Sequence, residues 1–548
     1  MKPCCYFAIS VCALAASATA SLAAAATHAI HYPYKHGATA RLDPNKPLGH
    51  VGPYEPPFMA KEPTTSGTWA DVSAALPFTM GPWNPVQLTD GTVLIQDYCT
   101  SQWYKLTPDN KGSYTNGSWS AIAAMPAGYE PLFFASQILP NGQFIVNGGE
   151  YEACQSAWTN LGAMYDPVAN SWTPVAPPPG WAMIGDAESI ILPDGSYMLA
   201  NCCDAPAQQA IGKLVAGVMT WTVGNSYACP TGDFCNDEQA YTPLPNGNVF
   251  MVDVWNIDAN SDDYEIYDTA AGVWNLAGQT PDLLTTTQYR ELGPAPLTPK
   301  HGSQGTIIQF SANPDLGVND VYDVASGTWR SGPVITYHGT IYNFSDAPAA
   351  TLPDGNILVQ ASPGTFSMPS HFWEIGIGKG GKVAPVQVND PAQAPNTANF
   401  ESNLLVLPTG QVLWDNSQTV PNEVAIYSPN GSPRSAWRPV ISSVASSLAV
   451  GSTGNAISGT NFNGFDLGGV YGDDAQASTN FPLVRITNVG TGDVCYARSY
   501  NFSTMGIWTN GTTNATFDIP ANCETGASRL KVVVNGIAST AVRVKLHS

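Results

Sequence analysis

The sequence predicts an all-β chain, a closed ring of seven four-stranded units followed by a smaller β-sandwich. Three observations carry that expectation. Charged residues make up only 11% of the 548, while Gly (51) and Pro (45) are plentiful, a composition of short strands joined by tight turns. One phrase recurs along the chain: QLTDGTVLI, ILPNGQFIV, ILPDGSYML, PLPNGNVFM, TLPDGNILV and VLPTGQVLW, with a degenerate copy in PLTPKHGSQGTIIQF. After Trp437 that phrase stops, and alternating segments such as FPLVRITNV and SRLKVVVNGIASTAVRVKL take over.

Each copy of the phrase reads as strand, turn, strand. Its Asp-Gly, Asn-Gly or Thr-Gly pair supplies the positive-φ residue that a tight hairpin needs, and the flanking residues suit pleated strands. The Leu of each copy serves as a ruler: Leu88, Leu139, Leu192, Leu244, Leu297, Leu352 and Leu407, spaced by 51, 53, 52, 53, 55 and 55. A period of about 50 residues is the length of a kelch-type propeller blade. Tyr165/Trp172, Tyr267/Trp274 and Tyr322/Trp329, with Trp119 and Trp221, mark an outer strand of successive units. Trp69, in SGTWADVSAALPF, resembles the end of a unit without its beginning, so residues 66–80 are expected to complete the last blade and clasp the ring.

The N-terminus has Lys2, an apolar run from Tyr6 to Leu14 and small residues to Ala26, the order of a secretory signal over 1–26. Residues 27–65 read as an extended arm, 66–437 as the propeller and 438–548 as the sandwich. No later stretch is long and apolar enough to span a bilayer, so a secreted, periplasmic or cell-surface monomer is expected. Eight cysteines remain beyond the leader, which in an oxidising compartment predicts disulfides. Cys99 with Cys154, Cys495 with Cys523 and Cys229 with Cys235 are the pairs suggested. A formal charge of −21 excludes nucleic acid as the expected partner.

With these motifs in place the chain resembles the galactose oxidase family of copper-radical oxidases, over roughly residues 66–548. PNGQFIVNGGE, NFESNLLVLPTGQVLW and FPLVRITNV are the local anchors. The resemblance implies a seven-bladed kelch-type β-propeller followed by an immunoglobulin-like domain. Aligned on the turn phrase, it places the family's cross-linked cysteine and tyrosine on Phe133 and Asp186, and its tyrosine–histidine pair on Phe400 and Glu401. The family's last histidine ligand falls near Thr487–Thr491, and no His lies between His371 and His547. A copper-radical site needs imidazoles and a phenol, so copper and oxidase activity are not expected. His338 and His371 read as isolated loop or strand residues.

Six residues before each ruler Leu stand Pro82, Phe133, Asp186, Glu238, Glu291, Asp346 and Glu401, five of seven acidic. The chance of that at a preset position is on the order of 10⁻⁴ or below. The resemblance implies that these five carboxylates converge at one mouth of the central channel, where Tyr129, Arg290, Glu130, Glu188, Asp237 and Tyr241 are neighbours. Two charges about 8 Å apart repel by roughly 2 kcal/mol at an effective dielectric near 20. Protonation, a hard cation such as Ca²⁺ or Mg²⁺, or backbone N–H donors would relieve this. The metal-ligand candidates are Asp186, Glu238, Glu291, Asp346 and Glu401, and Tyr129 and Arg290 join them as ligand-binding candidates.

Three classes of function follow. The first is a binding module that takes a cation, a cationic ligand or a saccharide at the acidic mouth. The second is a carboxylate-dependent, glycosidase-like hydrolase using two members of the ring. The third is a structural or adhesive surface protein.

Overall fold

The computed structural model describes residues 67–202, 208–224, 236, 238–257, 261–285, 290–364, 366–378, 381–417, 420–471, 475–476 and 478–548. The expected leader and arm lie outside the described residues, as do Asp237, Cys203, Cys229 and Cys235.

Seven small antiparallel sheets of the kind that make β-propeller blades succeed one another along the chain. The first runs Pro82–Gln87, Val93–Asp97, Trp103–Thr107, Ser118–Ala121. Five further sheets repeat that meander, with first strands at Ala135–Ile138, Ser189–Ile191, Thr242–Pro243, Leu297–Thr298 and Ala349–Thr351. The seventh holds Ser402–Val406, Val412–Asn416 and Val424–Ser428, and takes its outer strand from the other end of the chain. Thr68–Asp71 pairs antiparallel with that last strand, Trp69 opposite Tyr427, so the expected clasp is present. Trp69 also donates its indole N–H to the Asn389 carbonyl (2.6 Å) and meets Phe372 edge-on at 5.1 Å.

The turn phrase folds the same way in the six clear copies. In the first, the Leu88 N–H reaches the Thr92 carbonyl (2.8 Å) and the Gly91 N–H reaches the Leu88 carbonyl (3.1 Å). Gly91, Gly142, Gly195, Gly247, Gly355 and Gly410 all have φ between 79° and 89°, a conformation that only glycine adopts without strain. The preceding Asp or Asn side chain accepts the N–H two residues on, as Asp90 does from Thr92 (3.0 Å). The Tyr and Trp landmarks face each other across outer hairpins at Tyr165–Trp172, Tyr267–Trp274 and Tyr322–Trp329.

Inner strands are packed on both faces, so Val93–Asp97 is buried throughout, whereas the outer Ser118–Ala121 is largely exposed. Side chains stitch neighbours together. Asn84 joins the first sheet to the seventh through Asn403 (3.0 Å) and to the second through Ser136 (3.0 Å). Gln137 joins the second to the third through the Ser189 carbonyl (2.8 Å), and Thr242 joins the fourth to the fifth through the Ala295 carbonyl (2.7 Å).

The C-terminal strands form a single curled path rather than two separate layers. The reason is Val494–Tyr500, whose first half pairs with Leu483–Asn488 and whose last three residues pair with Thr513–Asp518. This unit packs on the turn end of the propeller. The Phe502 N–H reaches the Pro140 carbonyl (3.2 Å), the Met505 N–H reaches that of Pro193 (3.1 Å), and Arg498 donates to that of Asn141 (2.8 Å).

One connection leaves the C-terminal unit and enters the middle of the ring. Gly469–Val470 pairs with Ala349–Ala350 on the inner edge of the sixth sheet. Gln476 Oε1 accepts from the Ser136 N–H (3.0 Å) and the Ser189 hydroxyl (2.7 Å), and the Tyr471 hydroxyl donates to the Phe400 carbonyl (3.2 Å). Five sheets thus touch this segment, because the Tyr471 ring also lies 6.1 Å from Trp83.

Two expected disulfides are formed, Cys99–Cys154 (Cα–Cα 5.2 Å) and Cys495–Cys523 (5.6 Å). Disulfides suit an extracytoplasmic setting. Among the described residues no helix is long and apolar enough to cross a membrane.

Candidate functional site

The inner strands run from the axial positions to the turns, so the acidic positions gather at the end opposite the C-terminal unit. Each lies in the segment that leads into the first strand of a sheet. Glu238, Glu291 and Asp346, which precede the first strands of the fourth, fifth and sixth sheets, offer carboxylate oxygens within 4.8 Å of one another. Glu291 is buried (1% exposed), Asp346 nearly so (9%), and Glu238 is partly open. Three carboxylates supplied by three separate sheets therefore converge on one point.

The other two members of the expected ring stand outside this cluster. Asp186 is buried with Oδ1 2.9 Å from Cys202 Sγ. Glu401 ends the short 3₁₀ turn Asn399–Glu401, and its Oε2 accepts the Ala398 N–H at 2.8 Å. That bond is one of the backbone partners by which a carboxylate is satisfied locally.

The neighbours are placed as follows. Tyr129 is buried and donates its hydroxyl to the Gly148 carbonyl (2.8 Å), and burial pushes its pKa well above the usual phenol value. Arg290 donates Nη1 to the Val254 carbonyl (3.0 Å) and lies over the Trp255 ring at 5.1 Å, toward the fourth sheet. Glu188 is buried beside Tyr241, whose hydroxyl is pushed up by burial and then by the Glu188 charge. Phe133, at the position the resemblance gives to a cross-linked cysteine, packs edge-on against Trp83 at 5.1 Å.

Backbone conformation sets these positions apart. Phe133 (φ 52°), Glu238 (72°) and Asp346 (47°) occupy equivalent places in the second, fourth and sixth sheets and are all left-handed. In the third and fifth sheets the residue just before the acid does the same, Gly185 at 74° and Arg290 at 63°. A non-glycine residue costs about 1–2 kcal/mol there. Left-handed backbone recurs at this level in five sheets and is strained in four of them, Gly185 being free of the cost, an outlier of the kind that accompanies functional sites. Beside Asp346, Ser345 Oγ and Asn343 Nδ2 are buried without a hydrogen-bond partner among the described residues.

Two parts of the site differ from the sequence reading or went unseen in it. Thr487 lies in the C-terminal sheet between Val494 and Arg529, and the Thr491 carbonyl accepts from Lys111 (3.0 Å), far from the axis. Thr487 is held by partners on both sides, and the residues that reach the ring are instead Gly469, Val470, Tyr471 and Gln476. Their signal was NGFDLGGVYGDDAQASTNF, a long stretch without strand alternation. His338 and His371 are not isolated from each other: their rings lie 4.2 Å and 4.0 Å from that of Tyr337, and His371 Nδ1 is 2.6 Å from Asp390 Oδ2.

No family model matches the chain, and no curated protein matches it. Solved structures do. A fungal alcohol oxidase of the AA5 family, in complex with copper, is 15% identical, with 89% of this chain and 100% of that chain covered and a TM-score of 0.48. The extracellular domain of a one-component system from B. thetaiotaomicron is 11% identical, with 89% and 58% covered and a TM-score of 0.39. The protein YjhT is 13% identical, with 65% and 96% covered and a TM-score of 0.33. None of these likenesses bears on the chemistry of this chain.

Proposed function

We propose that this protein is a non-oxidase binding protein whose propeller mouth holds a hard divalent cation on Glu238, Glu291 and Asp346. The single supporting observation is the convergence of their oxygens within 4.8 Å. At or below that separation each pair of ionised carboxylates repels by at least about 3 kcal/mol at an effective dielectric near 20. A divalent cation turns this repulsion into attraction. Two oxygens on one Ca²⁺, at about 2.3–2.6 Å each, stand up to about 5 Å apart, whereas Mg²⁺ at about 2.0–2.1 Å brings them within about 4.2 Å. Oxygens within 4.8 Å of one another fit either ion, and Ca²⁺ is proposed because it accepts irregular oxygen sets whereas Mg²⁺ gives up its waters reluctantly.

In this reading the seven sheets form a seven-bladed kelch-type propeller and the C-terminal unit an immunoglobulin-like domain, the architecture of galactose oxidase. Copper chemistry does not fit the donor set. The aligned positions carry Phe133, Asp186, Phe400 and Glu401, and His371 is engaged with Asp390 in the sixth sheet. Carboxylates suit Ca²⁺ and Mg²⁺, while copper prefers imidazole or sulfur. With Glu238 partly open, the cation has room to present coordination sites to an oxygen-rich ligand, a saccharide being the class proposed.

Elemental analysis of purified, dialysed protein tests this reading, together with its melting temperature with and without chelator. The expected result is stoichiometric calcium, lost in Asp346→Asn. Metal-free protein that is indifferent to both chelator and added calcium would remove it.

One observation supports a second reading. Carboxylates facing one another across a partly open site are also what a retaining glycosidase needs, an acid and a nucleophile that such enzymes hold about 5–5.5 Å apart. A hydrolase would cleave aryl glycosides and lose at least a thousandfold in rate in Glu291→Gln. Absence of cleavage across a broad glycoside set would end that reading.

A further inference from the structure

The C-terminal sheet carries a second charged surface of opposite sign. Leu483–Asn488, Gly526–Val534 and Val542–His547 lie side by side with Gly526–Val534 in the middle. Their inward residues, among them Val484, Ile486, Leu530, Val532, Val544 and Leu546, are buried core. Period-two alternation then places Arg485, Arg529, Lys531, Arg543 and Lys545 together on the outward face. Arg485 stands directly opposite Lys531, and Arg529 directly opposite Arg543.

Like charges in directly opposed positions of a sheet are destabilising. Nothing nearby compensates them: among the described residues, no carboxylate lies within 4.0 Å of these side chains or of Arg438. The chain has only 21 Lys and Arg against 42 Asp and Glu, so six uncompensated cations in one place do not reflect the average surface. Arg438, Arg485, Arg529 and Lys531 share a concavity of about 560 Å³ with the hydroxyl residues Thr487, Ser539 and Thr540. Burial and then the three guanidinium groups hold the Lys531 ammonium below its ordinary pKa, a sign that the cations crowd one another.

We propose that this face binds an acidic polysaccharide, one whose carboxylate or sulfate groups repeat along the chain. Strand pairing sets the cations on a grid, about 4.8 Å apart across strands and about 6.7 Å along them, which offers several anchoring points to a polymer rather than one to a small anion. Guanidinium groups take carboxylate or sulfate oxygens in pairs, and the three hydroxyl residues add donors and acceptors for sugar hydroxyls. No aromatic residue lines the concavity, so the base stacking used by single-strand nucleic-acid sites is absent there. This proposal does not depend on the carboxylate cluster of the propeller.

The test is binding of the full-length protein to immobilised polygalacturonate and dextran sulfate, with neutral dextran as control, at low and high ionic strength. The wild type is expected to bind at least one polyanion, weakening as salt rises, and not to bind neutral dextran. Arg485→Ser combined with Lys531→Ser, and separately Arg529→Ser with Arg543→Ser, should each weaken binding by about tenfold or more, with melting temperatures equal to or above that of the wild type. Glu291→Gln should bind the polyanions unchanged, which separates this surface from the propeller site. Failure of the wild type to bind either polyanion at low salt would overturn the proposal, as would undiminished binding in both double variants. Equal or tighter binding to duplex DNA or to phosphatidylserine vesicles would transfer the surface to that class of partner and likewise overturn it.

Discussion

The propeller mouth and the outer face of the C-terminal sheet both crowd like charges, but they do so by different means. At the mouth the carboxylates sit on lead-in segments held in left-handed backbone, each from a different sheet, and they converge on a point. On the C-terminal face the cations stand on paired strands in relaxed geometry and spread over a surface. Convergence suits one small, highly charged ion; a spread grid suits an extended polymer of opposite charge. The clustering of charge is therefore less informative than the spacing the backbone imposes on it.

Removing the point of convergence has the largest expected effect. Glu291→Gln keeps the shape of the most buried of the three side chains and deletes its charge, and is expected to reduce calcium affinity by at least a hundredfold, read by equilibrium dialysis. If affinity is unchanged, the three carboxylates do not act together.

Next in size is the response to pH. Burial raises Asp262 to about 7, Glu265 to about 8, Glu152 to about 7 and Asp466 to about 7, and raises Asp320 and Asp415 well above the carboxylate range. In the unfolded chain such groups ionise near pH 4. Between about pH 4 and 8 the folded protein therefore binds more protons than the unfolded chain, so stability is fully present below that window and is lost as pH rises through it. The melting temperature is expected to fall steadily from pH 4.5 to pH 8.5. Glu265→Gln, at a side chain 1% exposed, should flatten that slope and stabilise the protein at pH 8.5 by on the order of a few kcal/mol. A melting temperature that instead rises with pH contradicts these shifts.

Covalent restraint comes third. Cys99–Cys154 closes 55 residues between adjacent sheets and Cys495–Cys523 closes 28 within the C-terminal sheet. Removing the first by a paired Cys→Ser change should cost about 2–4 kcal/mol in chemical denaturation, and removing the second somewhat less. Equal losses would show that loop length does not govern the effect here. The smallest effect is on the basic face: Arg529→Ala relieves its opposition to Arg543 and should gain about 0.2–1 kcal/mol, where an ordinary exposed arginine would give nothing.

Much of the fold was legible because it repeats. A hairpin whose glycine must have positive φ leaves the same letters at each turn, and the clasp was legible because Trp69 carried the mark of an outer strand without the inner strands before it. The acidic positions were legible through the same ruler. What the ruler could not give was which of the five acids meet. That depends on lead-in conformation, as in the 3₁₀ turn that ties Glu401 to the Ala398 N–H. Nor could it give the entry of Gly469–Val470 into the ring, since pairing with Ala349–Ala350 brings together residues far apart in the chain. The basic face left a local trace, charge at every second place in SRLKVVV and VRVKL, but only the pairing of those two strands with Leu483–Asn488 makes it one surface.

If three carboxylates from three sheets form a cation site, calorimetric titration of chelator-treated protein with CaCl₂ will show it. One calcium bound per chain is expected, with a lower affinity for MgCl₂ and an affinity for calcium reduced at least a hundredfold in Glu291→Gln that melts like the parent. No heat and no bound calcium in the wild type, or binding that persists undiminished in Glu291→Gln, would contradict it.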